Sequence, residues 1–398
     1  MTDDYAGIRV LDVSQGFAGP YCGAILARGG ASVVKVEPPS GDWARTIGGS
    51  IEGHTAFSLV PNLGKRAVCI DGSRPKGREV LADLARSVDI VIQNFRPGVV
   101  ERLQIADHQL RPANPDLIYV SILGFGAGPY EYRPATDTVI QGFTGMMIMN
   151  RDAHGTPRRI GMLAIDTAAG VYAAQLVGAA LYRRLSGRGG RHIKISLVEV
   201  AAAFQAMPIV DDALRRRGQP NVPLSVPIGT FSTSDGHINL SCVSTAMFQG
   251  ICRAVGKTDW ITDPRFATEA GRLSHAEEIT SEVARILLTE KCAHWIDSFE
   301  KYDVLCGPVQ DYRSFLDDPH VRGVGLEATL EGGAFEGLPL PLLPGTAAAG
   351  TRLPAPPRLG EHTREVLAEH GYSESKINRL LQDGTIVEAK NQGGNNEK

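Results

Sequence analysis

The amino-acid sequence predicts an α/β protein: a large domain built on a mostly parallel sheet, and a smaller α+β domain in the later half of the chain. Three observations carry that expectation. Short β-branched runs alternate with helical patterns through the first half of the chain, which is the signature of βαβ units. Near Val222 the texture changes, and a hairpin signal followed by amphipathic helices replaces the alternation. A stretch rich in Gly, Pro and Ala, Gly332 to Gly360, then reads as an extended connection to one more amphipathic helix.

Element by element, Ile8 to Val13 reads as the first strand and the small residues from Ala18 to Gly29 as a helix. Ser32 to Val36 is the next strand. Lys76 to Ser87 places Leu81 and Leu84 at helical spacing, and Asp89 to Gln93 and Asp116 to Ile122 are again strand-like. A long Ala-rich helix follows Asp166 and stops at Leu185-Ser-Gly-Arg-Gly-Gly190, since glycines there end helices. His192 to Leu197 is the strand after it. Parallel sheets of this kind bind ligands beyond the carboxyl ends of their strands. Further on, Gly229 to Ser241 looks like two strands about a tight Asp235-Gly236 turn, with helices at Thr245 to Val255 and His275 to Leu288. The expected division is 1–200 for the first part of the large domain, 201–221 for a linker and 222–325 for the small domain. The polar tail NQGGNNEK is expected to be disordered.

Of the 398 residues, 43% are hydrophobic and 21% charged, enough apolar material for a large core. A net charge of −3 sets up no global basic field for nucleic acid or an anionic membrane, so neither is expected as a partner. A local cluster of Arg and Lys can still hold a nucleotide. The N-terminus is acidic where a secretory signal is basic. The nearest approach to a membrane span, Leu163 to Tyr182, contains Asp166. Six scattered cysteines without a C-x-x-C pair suit a reducing cytoplasm rather than a disulfide framework. Ten histidines show no ligand spacing, and no metal is expected.

Asp166 is the first candidate for chemistry. It stands at the head of a helix of small residues, where a carboxylate serves as a helix cap. The same geometry admits a catalytic role, because helix N–H groups can stabilise an oxyanion on a substrate brought close by the small side chains. The local sequence does not choose between the two. Gly124-Phe-Gly-Ala-Gly128 invites comparison with a dinucleotide fingerprint, but Pro129 follows it where a helix should open. Arg96 and Arg102 flank Pro97-Gly98 just after a strand, where a parallel sheet places phosphate-binding groups.

Taken together, these segments resemble the family III CoA-transferases, the relatives of formyl-CoA transferase and bacterial carnitine CoA-transferase. The likeness runs through Val10-Leu-Asp-Val-Ser, Ala18-Gly-Pro-Tyr-Cys-Gly and Gly30-Ala-Ser-Val-Val-Lys-Val-Glu-Pro-Pro39. It continues in order through Asn62-Leu-Gly-Lys-Arg66, Asp89 to Gly98, Asn114 to Ser121, Gly124-Phe-Gly126, Asp166 with its helix, Ser186 to Gly190 and Thr233 to His237. Asp263-Pro-Arg-Phe266 and Gly307-Pro-Val309 also fall in place, so the likeness spans roughly residues 6–365. No one segment is decisive, but chance seldom sets this many in one order.

The resemblance implies a Rossmann-like large domain completed by a return segment, 326–398, and an interlocked homodimer. It implies CoA transfer from an acyl-CoA to a carboxylic acid, with no tightly bound cofactor. Asp166 would be the nucleophile, passing through mixed anhydride and aspartyl-CoA thioester, and Asp137 an acidic neighbour. Gln15, Phe17, Ala18, Ile70, Asn94, Phe95 and Arg102 match positions that hold CoA. Phe17 and Pro38 depart from formyl-CoA transferase, which has glutamine and arginine there, and this weighs against formyl-CoA and oxalate as substrates. The family also contains α-methylacyl-CoA racemases, whose His-Asp pair reads here Thr136-Asp137, and a threonine is far too weak a base for an α-proton. Intramolecular CoA transfer would use the same Asp166 chemistry. A binding module without turnover is the reading from outside enzymology. Arg158 and Arg159, shortly before Asp166, are candidates to receive the second carboxylate of a dicarboxylic substrate.

Overall fold

The β-branched runs of the N-terminal half become the strands of one twisted sheet. The computed structural model describes residues 3–152, 154–218, 225–346, 348 and 350–389. The strands are β1 (Arg9–Asp12), β2 (Ser32–Glu37), β3 (Arg66–Ile70), β4 (Ile90–Gln93), β5 (Ile118–Leu123) and β6 (Arg191–Ser196). They lie parallel in the order β3–β2–β1–β4–β5–β6, and Ile386–Val387 adds an antiparallel edge beside β3, making a seven-stranded sheet. Strand order reverses between β1 and β4. In a doubly wound sheet that switch point opens a crevice at the carboxyl ends.

Helices α1 (Ala18–Arg28), α2 (Pro75–Arg86), α3 (Asp137–Phe143), α4 (Ala164–Leu185) and α5 (Leu197–Phe204) accompany the sheet. On one face Val10, Ile90, Ile92, Val120, Ile122 and Ile193 pack with Cys22 and Leu26 of α1 and Ala169, Ala173 and Val177 of α4. On the other, Leu11, Val34, Val68, Val91 and Tyr119 pack with Val80, Leu81 and Leu84 of α2 and with Val366, Leu367 and Ile377 from the C-terminal segment. The small residues of α4 exist for close approach: a Cβ at Gly170 would lie 2.9 Å from the Tyr21 ring and 3.0 Å from the Ala18 carbonyl. Helix α4 is long and apolar enough to cross a membrane, and half of its apolar window is buried inside the protein.

The chain divides into two compact units, Met1–Ile209 with Arg322–Lys398, and Val210–Val321. The C-terminal segment joins the first unit through the β3 edge. Thr363 Oγ1 donates to the Val387 carbonyl (2.7 Å) and accepts from Cys69 N (3.1 Å), while His362 Nδ1 accepts from Ala67 N (3.2 Å). In the second unit Ile228–Ser232, His237–Ser241 and Leu305–Pro308 form an antiparallel sheet over Phe248, Phe266, Trp295 and Phe299.

Two expectations change. The Gly332–Gly360 stretch is not merely a connection: Glu327–Glu331, Pro339–Pro341 and Arg352–Pro354 pair into a small sheet, because Leu330, Phe335, Leu340 and Leu353 bury themselves with Leu63. The expected linker 201–221 is helical in α5 and in Ala206–Arg216. Its last residues, the first of the small domain and the polar tail lie outside the described residues.

Beneath the carboxyl ends of β1 and β2 sits a buried ionic cluster. Lys65 Nζ donates to Asp12 Oδ2 (2.7 Å), the Pro20 carbonyl (2.7 Å) and Asn62 Oδ1 (3.2 Å), so all three ammonium protons have acceptors. Lys35 donates to the Ser14 carbonyl and to Asp42 Oδ2 (3.2 Å). Glu37 accepts two bonds from Arg45 (2.7 Å each) and one from Asp42 N (2.7 Å). Burial would raise the Asp12 pKa, but Lys65 and Lys35 outweigh it and hold the carboxyl below its usual range. Removing one member of such a group strands a charge in the interior, which costs more than the pair contributes. Lys65→Met should therefore destabilise the protein by about 3–5 kcal/mol in urea melts. The double variant Asp12→Leu/Lys65→Met should regain part of that loss, and a strictly additive double variant would contradict this account.

Candidate active site

Asp166 is the third residue of α4, after Ala164 and Ile165, and does not cap the helix. Leu163 holds the N-cap position and offers no side-chain bond. The cap comes from another element. Asp137, the first residue of α3, accepts the N–H groups of Ile165 (2.7 Å) and Asp166 (3.0 Å) on Oδ2. Gln141, one turn along α3, donates to Asp137 Oδ1 (2.5 Å) and accepts from Ile160 N (2.8 Å). Asp137 and Gln141 are both buried. The first-turn N–H groups expected to meet an oxyanion are thus occupied by a carboxylate, which also neutralises the positive end of the helix dipole.

The Asp166 carboxyl opens onto a cleft and, among the described residues, receives no hydrogen bond. Burial pushes its pKa up to about 7, with the negative charge of Asp137 adding to the effect. This part of the cleft has a volume of about 350 Å³, and its wall includes Gln15, Phe17, Ala18, Trp43, Phe57, Asp137 and Asp166. It adjoins a second part of about 270 Å³ that shares Gln15, Trp43, Asn94, Leu123, Gly124 and Ala135 and adds Phe95, Arg96, Glu131 and Arg133.

The loop after β1 crosses this cleft at the switch point and is held from three sides. Asn94 accepts from Gln15 N (2.8 Å) and donates to the Gln15 carbonyl (2.6 Å). Both carboxylate oxygens of Asp42 take the Gly16 N–H (3.0 and 3.1 Å). Ser14 is tied to Asp12 and Lys35. Gly16 has φ of +77°, and a Cβ there would stand 2.4 Å from the Trp43 ring, so only glycine fits.

A second chain of bonds fixes the β4 end. Phe95 N donates to Gln93 Oε1 (2.8 Å), which turns the Gln93 amide nitrogen toward Ser121 Oγ (2.8 Å). The Ser121 hydroxyl is then free to donate to His192 Nε2 (2.9 Å), leaving the Nδ1 proton facing Asp107 Oδ2 at 3.4 Å. Burial pulls the His192 pKa down, in keeping with the neutral ring this pattern requires.

Of the residues singled out from the sequence, Gln15, Phe17, Ala18, Asn94, Asp137 and Asp166 meet around one part of the cleft, and Phe95 lines the other. Four do not join them. Ile70 is buried at the end of β3, paired with Ile386. Arg102 is exposed at the end of the helical turn Val99–Arg102. Arg158 is engaged with Asp152 (2.7 Å), and it and Arg159 are exposed. Sequence reasoning missed Trp43, Phe57 and the positioning amides Gln93 and Gln141, because no spacing rule joins residues that meet only through the fold.

The raised Asp166 pKa has a consequence for stability. The folded state holds this proton more tightly than the unfolded chain, so stability falls as pH rises from about 4, the ordinary carboxylate value, through about 7. Asp166→Asn should stabilise the protein by on the order of 1–2 kcal/mol at pH 8, allowing for solvent at the cleft. It should change little at pH 4. Thermal melts at the two pH values measure the difference.

A sequence profile described as CoA-transferase family III matches residues 5–363. The succinate–glutarate CoA-transferase of Agrobacterium fabrum is 30% identical over 383 residues, covering 92% of this chain and 95% of that protein. A formyl-CoA:oxalate CoA-transferase of Rhodopseudomonas palustris is 28% identical, with 97% and 98% covered. The crystal structure of a CAIB/BAIF family protein from Brucella suis superposes with a TM-score of 0.82 at 29% identity, over 93% of this chain and all of that one. The chain therefore belongs to CoA-transferase family III and is a CoA-transferase.

Proposed function

We propose that the enzyme transfers CoA from an acyl-CoA donor to a carboxylic acid by covalent catalysis on Asp166, with CoA lying along the cleft over Gln15, Phe17, Ala18, Asn94 and Phe95. The observation that carries this reading is Asp166 itself: a carboxylate open to the cleft, unbonded among the described residues and of raised pKa. Such a group is poorly solvated and correspondingly nucleophilic once ionised. Asp166 attacks the thioester carbonyl, and the C–S bond breaks to give a mixed anhydride and CoA thiolate. The thiolate attacks the aspartyl carbonyl, releasing the donor acid and leaving an aspartyl-CoA thioester. The acceptor carboxylate then enters by the reverse sequence. Holding the thiolate beside the anhydride makes its return effectively intramolecular. Asp137 acts through position, fixing the first turn that carries Asp166.

Ile70 and Arg102 belong to the proposed CoA contacts on resemblance alone. A racemase is disfavoured by Thr136, whose hydroxyl caps α3 by accepting from Val139 N. We also propose a cytoplasmic homodimer. The homodimer is supported by the exposed apolar side chains of Phe204, Met207, Ile209, Tyr182 and Leu185, large groups that a second copy would cover, and the location by the scattered cysteines without a C-x-x-C pair.

Two predictions follow from the chemistry. Incubation with a competent acyl-CoA and quenching in hydroxylamine should place a hydroxamate on the peptide carrying Asp166, read by mass spectrometry. Asp166→Ala should lose the adduct and at least about a thousandfold in kcat. Because Asp166 must be ionised, kcat/KM should rise with pH through an acid limb near the free-enzyme pKa of about 7. Asp137→Asn removes one of the two causes of the raised value and should move that limb to lower pH. A limb that stays in place would assign it to another group.

A further inference from the structure

We infer that the acyl group carried by this enzyme is uncharged and apolar, the branched or aromatic acyl group of a monocarboxylic acid, rather than one with a second carboxylate. The inference rests on the Asp166 mechanism and deepens it by naming the substrate class. Beside Asp166, where the thioester end of CoA over Phe17 would meet the acyl group, the cleft wall is a chain of aromatic rings. Phe17 stacks on Tyr21 at 5.3 Å between centroids, meets Phe57 edge-on at 5.6 Å, and Phe57 meets Trp43 at 5.4 Å. Ile122, Leu123, Leu163 and Leu197 line the same part. Among its described lining residues the ionisable groups are Asp137 and Asp166, and there is no Lys, Arg or His.

That composition sorts possible substrates by charge. The balanced reaction exchanges one thioester for another, RCO–SCoA + R′COO⁻ giving RCOO⁻ + R′CO–SCoA, so each acid needs only its reacting carboxylate. A second carboxylate on R would be desolvated among aromatic rings, next to two acidic residues, with no cation among the described lining residues to receive it. The cations near the cleft belong elsewhere. Arg96 and Arg133 line the adjoining part with Glu131, Arg133 lies 3.6 Å over the Tyr130 ring, and Arg158 is paired with Asp152 on the surface. An apolar R group, by contrast, gains ring-edge and stacking contacts there.

The experiment compares isobutyryl-CoA, benzoyl-CoA, succinyl-CoA and glutaryl-CoA as donors, each with the other free acids as acceptors, following the CoA thioesters by mass spectrometry. We expect kcat/KM for the apolar donors to exceed that for the dicarboxylic ones by about a hundredfold or more. Phe57→Arg should narrow the gap at least about tenfold by raising the succinyl-CoA value. If circular dichroism shows that variant unfolded, Thr138→Lys on the same wall serves instead. Equal or better transfer from succinyl-CoA or glutaryl-CoA, with the Asp166 hydroxamate present, would overturn the substrate class and leave the mechanism standing. No transfer and no hydroxamate from any donor would overturn both.

Discussion

The structure depends on charges placed where water cannot reach them. Asp12, Lys35, Asp42 and Lys65 are buried, and each is tolerable only while its partners stay in place. The consequence reaches the cleft directly. Asp12 and Lys35 hold Ser14, Asp42 holds the Gly16 N–H, and Lys65 holds the Pro20 carbonyl at the start of α1. A loop of small residues would otherwise sample many conformations, each with its own cleft shape. Here the cost of unpairing an interior charge selects one of them. Asn94 then locks the loop to β4 across the switch point, so the two halves of the sheet meet as one rigid surface.

A second carboxylate does comparable work at Asp166. By taking the N–H groups of Ile165 and Asp166, Asp137 cancels the helix dipole that would otherwise favour the ionised form of Asp166. It also adds its own negative field. With burial, these effects leave a carboxyl that ionises near neutrality, at a cost to stability that Gln141 and the core beneath α4 offset. The arrangement suits the proposed covalent role: a carboxylate stabilised by hydrogen bonds and a helix terminus would be a poorer nucleophile.

How much of this was legible in the sequence differs from element to element. The strands β1, β2, β4, β5 and β6 and the helices α1 and α2 follow from β-branched runs and from Leu81 and Leu84 at helical spacing. Strand β3 escaped notice because Arg66-Ala-Val-Cys-Ile carries only Val68 and Ile70 as β-branched residues, and its edge is completed by Ile386, more than three hundred residues away. The Ala-rich helix was plain, but its start was not: Asp166 reads as a cap until Asp137, supplied by a helix without sequence signal, is seen to fill that role. Family resemblance pointed to Asp137 and Asp166 together. Their hydrogen bonds, and the raised pKa of a carboxyl that the sequence alone would read as a helix cap, belong to tertiary structure alone.

The distribution of charge along the cleft gives it a direction. At one end lie two carboxylates, Asp137 and Asp166, the second with its pKa raised to about 7, among aromatic rings. At the other lie Arg96 and Arg133 with the single carboxylate Glu131, near the β4 end that the Gln93–Ser121–His192 chain keeps in place. A ligand with phosphates at one end and a neutral thioester at the other can satisfy both ends in one orientation only. Reversed, it would set phosphate against Asp137 and Asp166 and an apolar group against arginines. Coulombic repulsion at a few ångströms in a partly dry cleft disfavours that pose. Among the described lining residues, keeping cations away from the Asp137–Asp166 end thus gives the cleft a polarity that a ligand charged at one end would follow.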